Sequence, residues 1–201
     1  MTFQPVNQRS RIRILQIAGL SAAAALPFSH PSLSGDGHEA IELIGLMLVL
    51  VCICGRMWSI LYIGSNKNRD LVTTGPYSMT RNPLYFFSTL GAAGIGLFVG
   101  SLVLTLGLTV AVYVVLAMTA TREAAYLESL FGTRYRDYAL ETPLFWPRLS
   151  LYGDVGDVTF SPAALRRTFL DGLLFLAALP AIEIIEWLQE AGYIPVLFRL
   201  L

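Results

Sequence analysis

Charge is scarce in this sequence. Of 201 residues only 14% are Asp, Glu, Lys or Arg, against 55% hydrophobic, and the mean hydropathy is +0.60. A soluble domain carries about 25% charged residues, so the composition excludes an ordinary water-soluble globule and reads as an integral membrane protein. Fourteen basic and fourteen acidic residues cancel. That leaves no net positive field and no support for a nucleic-acid partner. Cysteine is scarcer still: Cys52 and Cys54 stand two apart inside one apolar run. The pair excludes a secreted disulfide framework. No His or acidic residue neighbours it, so packing within a helix is favoured over a metal site.

What is present is a succession of apolar runs divided by polar segments. Ile14–Phe28 follows a polar start bearing Arg9, Arg11 and Arg13. At ~1.5 Å per residue it is short for a ~30 Å hydrocarbon core. It reads as a retained first helix, with a cleaved signal peptide as the alternative. Ala40 to about Ile63 is long enough to span, and carries Arg56 and Trp58 in its last third. An arginine inside a span is a functional candidate, the alternative being a side chain that reaches to the interface. The run from Leu84 to Ala120 is too long for one span and is predicted to split at Gly100-Ser101 into a tight hairpin. Gly91, Gly94 and Gly96 within it suit close helix approach better than a nucleotide loop, since no strand precedes them. Thr121–Tyr138 is expected to carry the preceding helix out of the membrane. Thr168–Leu188 is expected to form a fifth helix, with Asp171, Glu183 and Glu186 along it.

The basic residues fix an orientation. Twelve of the fourteen fall in residues 1–13, 64–84 and 121–167, Arg56 lies within a span, and Arg199 alone falls on the other side. Five spans place the three basic segments on one face, which the positive-inside rule makes cytoplasmic. A bacterial inner membrane with a cytoplasmic N-terminus is the expected setting. Two segments distant in sequence then converge at one surface, as a site requires.

The polar island Gly75-Pro76-Tyr77-Ser78-Met79-Thr80-Arg81-Asn82-Pro83-Leu84-Tyr85 stands at that surface. Gly75-Pro76 is a turn dipeptide that forbids a continuous helix. Asn82-Pro83 makes a second break and can begin a new helix with Pro83 in its first turn.

Gly75-Pro76-Tyr77, Arg81, Pro83 and Tyr85 resemble the Gly-Pro-Tyr-x-x-x-Arg-His-Pro-x-Tyr signature of isoprenylcysteine carboxyl methyltransferase-like proteins, which belong with the membrane phospholipid methyltransferases. Gly55-Arg56-x-Trp58 and Leu71-Val72-Thr73-Thr74 resemble the approach to that signature. Glu123-x-x-x-Leu127, Phe131-Gly132, Tyr135, Tyr138 and Pro147-Arg148 resemble the family's second block. The likeness covers about residues 50–148. Three positions depart from it: Asn82 stands for the usual His, Ala124 for the second Glu of an acidic pair, and Phe87 where a Gly is common.

The resemblance implies an all-α, polytopic membrane bundle of about five helices with a polar cap. Residues 1–39 would form an N-terminal helix and loop, 40–148 the methyltransferase-like core, and 149–201 an extension. It implies S-adenosylmethionine as cofactor and a lipophilic or lipidated acceptor, among membrane lipids. Glu123 suits the cofactor's ammonium, and Arg81 its carboxylate through a two-pronged fork. Tyr77, Tyr85 and Tyr135 offer faces to adenine or to a sulfonium, while Gly75, Pro76 and Pro83 set the backbone. Arg81, Asn82 and Glu123 are the candidate catalytic residues, and Arg56, Trp58 and Arg148 the candidates for holding acceptor. Asn82 cannot be a general base near neutral pH, which slightly favours an acceptor oxygen that is already anionic. Two rivals stand beside this reading: a non-catalytic protein retaining the fold, and a lipid-linked reductase using NADPH.

Overall fold

The computed structural model describes residues 29–30, 36–64, 70–193 and 198–199. The chain is all-α. Among the described residues its helices are α1 (Asp36–Ile63), the single-turn α2 (Pro76–Met79), α3 (Pro83–Phe98), α4 (Leu102–Phe131), α5 (Thr133–Glu141) and α6 (Pro162–Glu190). Two short accessories accompany them, a 3-10 turn at Leu149–Leu151 and a parallel ladder of Ser29–His30 with Phe198–Arg199. The apolar run Ile14–Phe28 lies outside the described residues.

The helix ends follow from their sequences. Ser101 Oγ accepts from Leu104 N (3.2 Å) and starts α4, directly after the turn at Gly100. The hairpin therefore divides at Gly100-Ser101, where the sequence places it. Pro83 opens α3 with the missing N–H of its first turn. The helix before the cap is not continuous to Tyr138. It stops at Phe131 because Gly132 adopts φ +57°, a left-handed value that turns the chain into α5. The last helix starts at Pro162, earlier than Thr168, since Ser161 Oγ accepts from Ala164 N (3.3 Å) and caps it there.

Among the described residues, α1, α4 and α6 are long and apolar enough to cross a membrane, and α3 is a shorter apolar helix of 16 residues. On α4 the exposed series Leu102, Leu106, Val110, Val114, Met118 recurs every four residues. That stripe faces outward, as a lipid-bathed surface does. The chain is an integral membrane protein of polytopic helical build.

The centre of the bundle is the crossing of α1 and α3, with α4 packed on α3 and α6 on α1. Backbone meets backbone there. A Cβ on Gly45 would come 2.6 Å from Phe98 N and 2.7 Å from Gly94 O, and one on Gly94 would come 2.7 Å from Gly45 O. In an apolar solvent such close approach supplies the dispersion contact that hydrophobic burial cannot. Val49, Phe98, Val99, Leu179 and Ile182 close the buried cluster beside it. Cys52 packs fully buried against Gly91, and Cys54 is exposed.

Gly45→Ala will lower the thermal unfolding midpoint in detergent, at an overpacking cost of about 1–3 kcal/mol. Gly107→Ala, whose methyl meets nothing within 4 Å, will hold or raise it by up to about 1 kcal/mol of helix preference. Equal effects of the two substitutions in a melting experiment would contradict the crossing.

Candidate active site

The polar island and the segment after α5 are stitched together by backbone. Gly75 N donates to Gly153 O (2.7 Å), Arg148 N to Met79 O (2.9 Å) and Arg81 N to Pro143 O (2.9 Å). Side chains extend the seam: Thr80 Oγ1 donates to Phe145 O (2.9 Å), Asn82 Nδ2 to Leu144 O (2.9 Å), and Gly153 N to Ser78 Oγ (2.9 Å). Gly75 sits at φ +60°, and a Cβ there would strike the Tyr62 ring. Only glycine lets the chain turn so close to α1. The seam positions Tyr77 and Arg81 against the ends of α4 and α5.

These elements enclose a cavity of about 420 Å³. Its walls are Arg56, Ile60 and Ile63 of α1, Asp70 to Val72, Tyr77 of α2, Arg81 and Asn82, Leu84 and Tyr85 of α3, the Glu123 face of α4, Tyr135 and Tyr138 of α5, and Thr168 of α6. The volume lies within the ~300–1,000 Å³ range of ligand sites. Tyr85 Oη donates to Glu123 Oε2 (2.7 Å), tying α3 to α4 across it. Arg81 Nη1 donates to Tyr135 Oη (3.2 Å), and the guanidinium carbon lies 5.8 Å from the Tyr135 ring centre, within cation–π range. Tyr138 Oη donates to Tyr77 O (2.6 Å).

Among the described residues, three buried polar atoms of the wall have no partner: Arg56 Nε, Tyr77 Oη and Arg81 Nε. Natural structures leave few such atoms, and their grouping around one cavity leaves hydrogen-bonding capacity there that a polar guest could use. Burial pushes the phenols of Tyr77, Tyr135 and Tyr138 above the ordinary tyrosine range; at Tyr135 the Arg81 guanidinium opposes that shift. All three are neutral donors at physiological pH. Among the described residues, no three His, Cys, Asp or Glu side chains gather as a metal site.

Comparison with known proteins gives the chain's relatives. The model of the phospholipid methyltransferase family matches residues 41–134. The cobalt-zinc-cadmium resistance protein CzcN of Cupriavidus metallidurans is 34% identical over 185 residues, covering 92% of this chain and 85% of that protein. The nickel-cobalt-cadmium resistance protein NccN of Alcaligenes xylosoxydans is 32% identical, covering 93% and 88%. A protein-S-isoprenylcysteine O-methyltransferase of Schizosaccharomyces pombe is 34% identical over 83 residues, covering 40% of this chain and 35% of its own. No solved structure matches the chain.

The chain belongs to the phospholipid methyltransferase family.

Within this phospholipid methyltransferase-family bundle, Tyr77, Arg81, Asn82, Tyr85, Glu123, Tyr135 and Arg56 border one cavity. Gly75, Pro76 and Pro83 do not border it and act on the backbone that holds it. Trp58 faces away, its ring 6.1 Å from Tyr152. Arg148 contributes its backbone N–H to the seam and exposes its side chain. Asp154 accepts from Tyr62 (2.6 Å) and Tyr152 (2.8 Å), which hold its carboxyl below the usual range and strap residues 152–154 over the island. Asp70, Tyr126 and Thr168 also border the cavity. Helical spacing from Glu123 is a signal that could have found Tyr126, one turn on, whereas Asp70 and Thr168 carry no local signal. Ala124 borders the cavity, so the missing second Glu is absent from the wall itself.

Tyr138→Phe will cost about 1–2 kcal/mol by leaving the buried Tyr77 carbonyl without its donor. The raised phenol pKa values mean that stability is complete below the unfolded value near 10 and falls as pH rises through it toward the folded one. Denaturant midpoints measured from about pH 9 to about pH 11 will therefore decline, and less steeply in Tyr138→Phe.

Proposed function

We propose that this protein is an integral membrane methyltransferase that uses S-adenosylmethionine to methylate a lipid or lipid-modified acceptor, in the manner of isoprenylcysteine carboxyl O-methylation. The observation that carries it is the pairing of Glu123–Tyr85 and Arg81–Tyr135 across one cavity with buried, unpartnered donors on Arg81 and Tyr77. The residues fit the cofactor's chemistry. Glu123 would hold the ammonium. Arg81 would hold the carboxylate, its free Nε adding a second prong to Nη2. Tyr135 and Tyr85 offer ring faces to the adenine. The bound cofactor supplies a methyl group on a sulfonium, an electrophile that needs no metal.

The chain's own part is placement and dryness. Ile60, Ile63, Leu84 and Leu127 exclude water beside the polar wall, and an apolar surround favours a transfer in which opposite charges are lost. The seam holds Arg81 and Tyr77 in register, so the reacting groups meet without reorganisation. Asn82 gives its amide N–H to Leu144 O and acts as a brace. Glu123 remains as a carboxylate able to receive a proton if the acceptor is an amine. Acceptor access is from the bilayer between α4 and α6: α4 packs on α3 and α5, α6 packs on α1 and α3, and the cavity borders both. The distribution of the basic segments supports a mouth at the cytoplasmic face of a bacterial inner membrane, by the positive-inside rule.

A non-catalytic protein retaining the fold is the second reading. It is favoured by Asn82, whose amide serves the seam, and by Ala124 on the wall. Carried to this chain, the metal-resistance names of two relatives suggest a place in metal tolerance. Under our reading that place is covalent modification of a membrane component.

Calorimetry on the detergent-purified chain decides between them. Wild type will bind S-adenosylmethionine at micromolar Kd, about 8 kcal/mol. Glu123→Ala and Arg81→Ala will each weaken it by at least about tenfold, since each removes a charge-assisted contact. A folded wild type that binds none establishes the non-catalytic reading.

A further inference from the structure

Arg56 is the charged group that the cofactor reading leaves over. It lies seven residues before the end of α1, about 10 Å down the helix axis from the polar cap. Its Nη1 donates to Ser88 Oγ (2.5 Å), and its Nε is buried without an acceptor. Ser88 is itself a neutral prop, because its hydroxyl donates to Leu84 O (2.7 Å). Among the described residues no carboxylate lies within ion-pair distance of Arg56. Glu123 accepts from Tyr85, Asp70 faces Arg134 at 3.5 Å, and position 124, on the same wall, is an alanine.

A guanidinium cannot neutralise itself by losing a proton. Inside a span it is retained only where an anion, a carbonyl fork or water satisfies it. Resting on the methyltransferase reading, we infer that Arg56 is the acceptor's anchor: it binds the oxyanion, carboxylate or phosphate, of a headgroup whose apolar tail runs out into the bilayer. The cavity then has two polar subsites, a cap subsite at Arg81 and Glu123 and a deeper anionic one at Arg56 and Ser88. Acceptors that carry a tail but no negative charge are rejected, because they leave the guanidinium unpaired.

The test is binding, independent of turnover. The full chain in dodecyl maltoside is titrated by calorimetry with laurate, dodecyl phosphate, methyl laurate and dodecylamine, whose tails are alike. Laurate and dodecyl phosphate will bind at least about tenfold tighter than the other two, and the tighter of the two names the oxyanion. Acetate and inorganic phosphate will not displace them at equal concentration; displacement would assign the site to free anions and overturn the lipid assignment. Arg56→Gln will abolish the anionic preference and leave S-adenosylmethionine binding unchanged, while Arg56→Lys will keep a reduced preference. A wild type without preference overturns the inference, with or without a folded variant. So does preference that survives Arg56→Gln, or loss of cofactor binding in that variant. Absence of S-adenosylmethionine binding to wild type is a separate result that rejects the methyltransferase reading alone.

Discussion

The seam between residues 75–82 and 142–153 is the constraint on which the cap depends. Its backbone and side-chain hydrogen bonds join two segments some 65 residues apart and hold Tyr77 and Arg81 against the ends of α4 and α5. Each bond contributes about 1 kcal/mol net. Their geometry matters more than their sum, because before Pro83 the island has only the single turn of α2 to hold it otherwise. Asn82 belongs to this constraint. Its amide both braces the seam and borders the cavity, so a residue that looks like a lost base acts as a structural link.

The membrane part has a different logic. Lipid offers no hydrophobic drive between helices, so α1 and α3 associate through close backbone approach at Gly45 and Gly94. Phe87 fits the same scheme: its ring covers Gly55 of α1, where any larger residue would collide. The departure at position 87 is therefore accommodated by a glycine on the facing helix, and the register of α1 against α3 places Arg56 opposite Ser88.

Electrostatics divides the cavity. Arg81 sits at the cap beside Tyr135, near Glu123 on α4, while Arg56 lies deeper with only a hydroxyl. Two cations and the carboxylates Glu123 and Asp70 share one wall, and none of the described carboxylates reaches Arg56. A membrane arginine in that position is costly without a guest. The same low dielectric would strengthen its hold on a matching anion.

Much was legible in the sequence. Composition determined a membrane protein, the apolar runs and Gly100-Ser101 located the hairpin, and the island's order of Gly, Pro, Tyr, Arg and Tyr pointed to the family, because these features depend on local chemistry and spacing. Helix boundaries at Gly132 and Ser161 were misplaced by several residues, since a left-handed turn and a hydroxyl cap override apolar periodicity. What the tertiary structure decided was partnership. Trp58 turned to Tyr152 and Arg148 to the surface, while Asp70 and Thr168 came to the wall, because which face of a helix meets a cavity depends on the crossing of its neighbours. The sequence by itself determined the solvent, the helices and the residue types of the site. Only the packing of α1 on α3 and the closing of the seam decided which of them share one cavity.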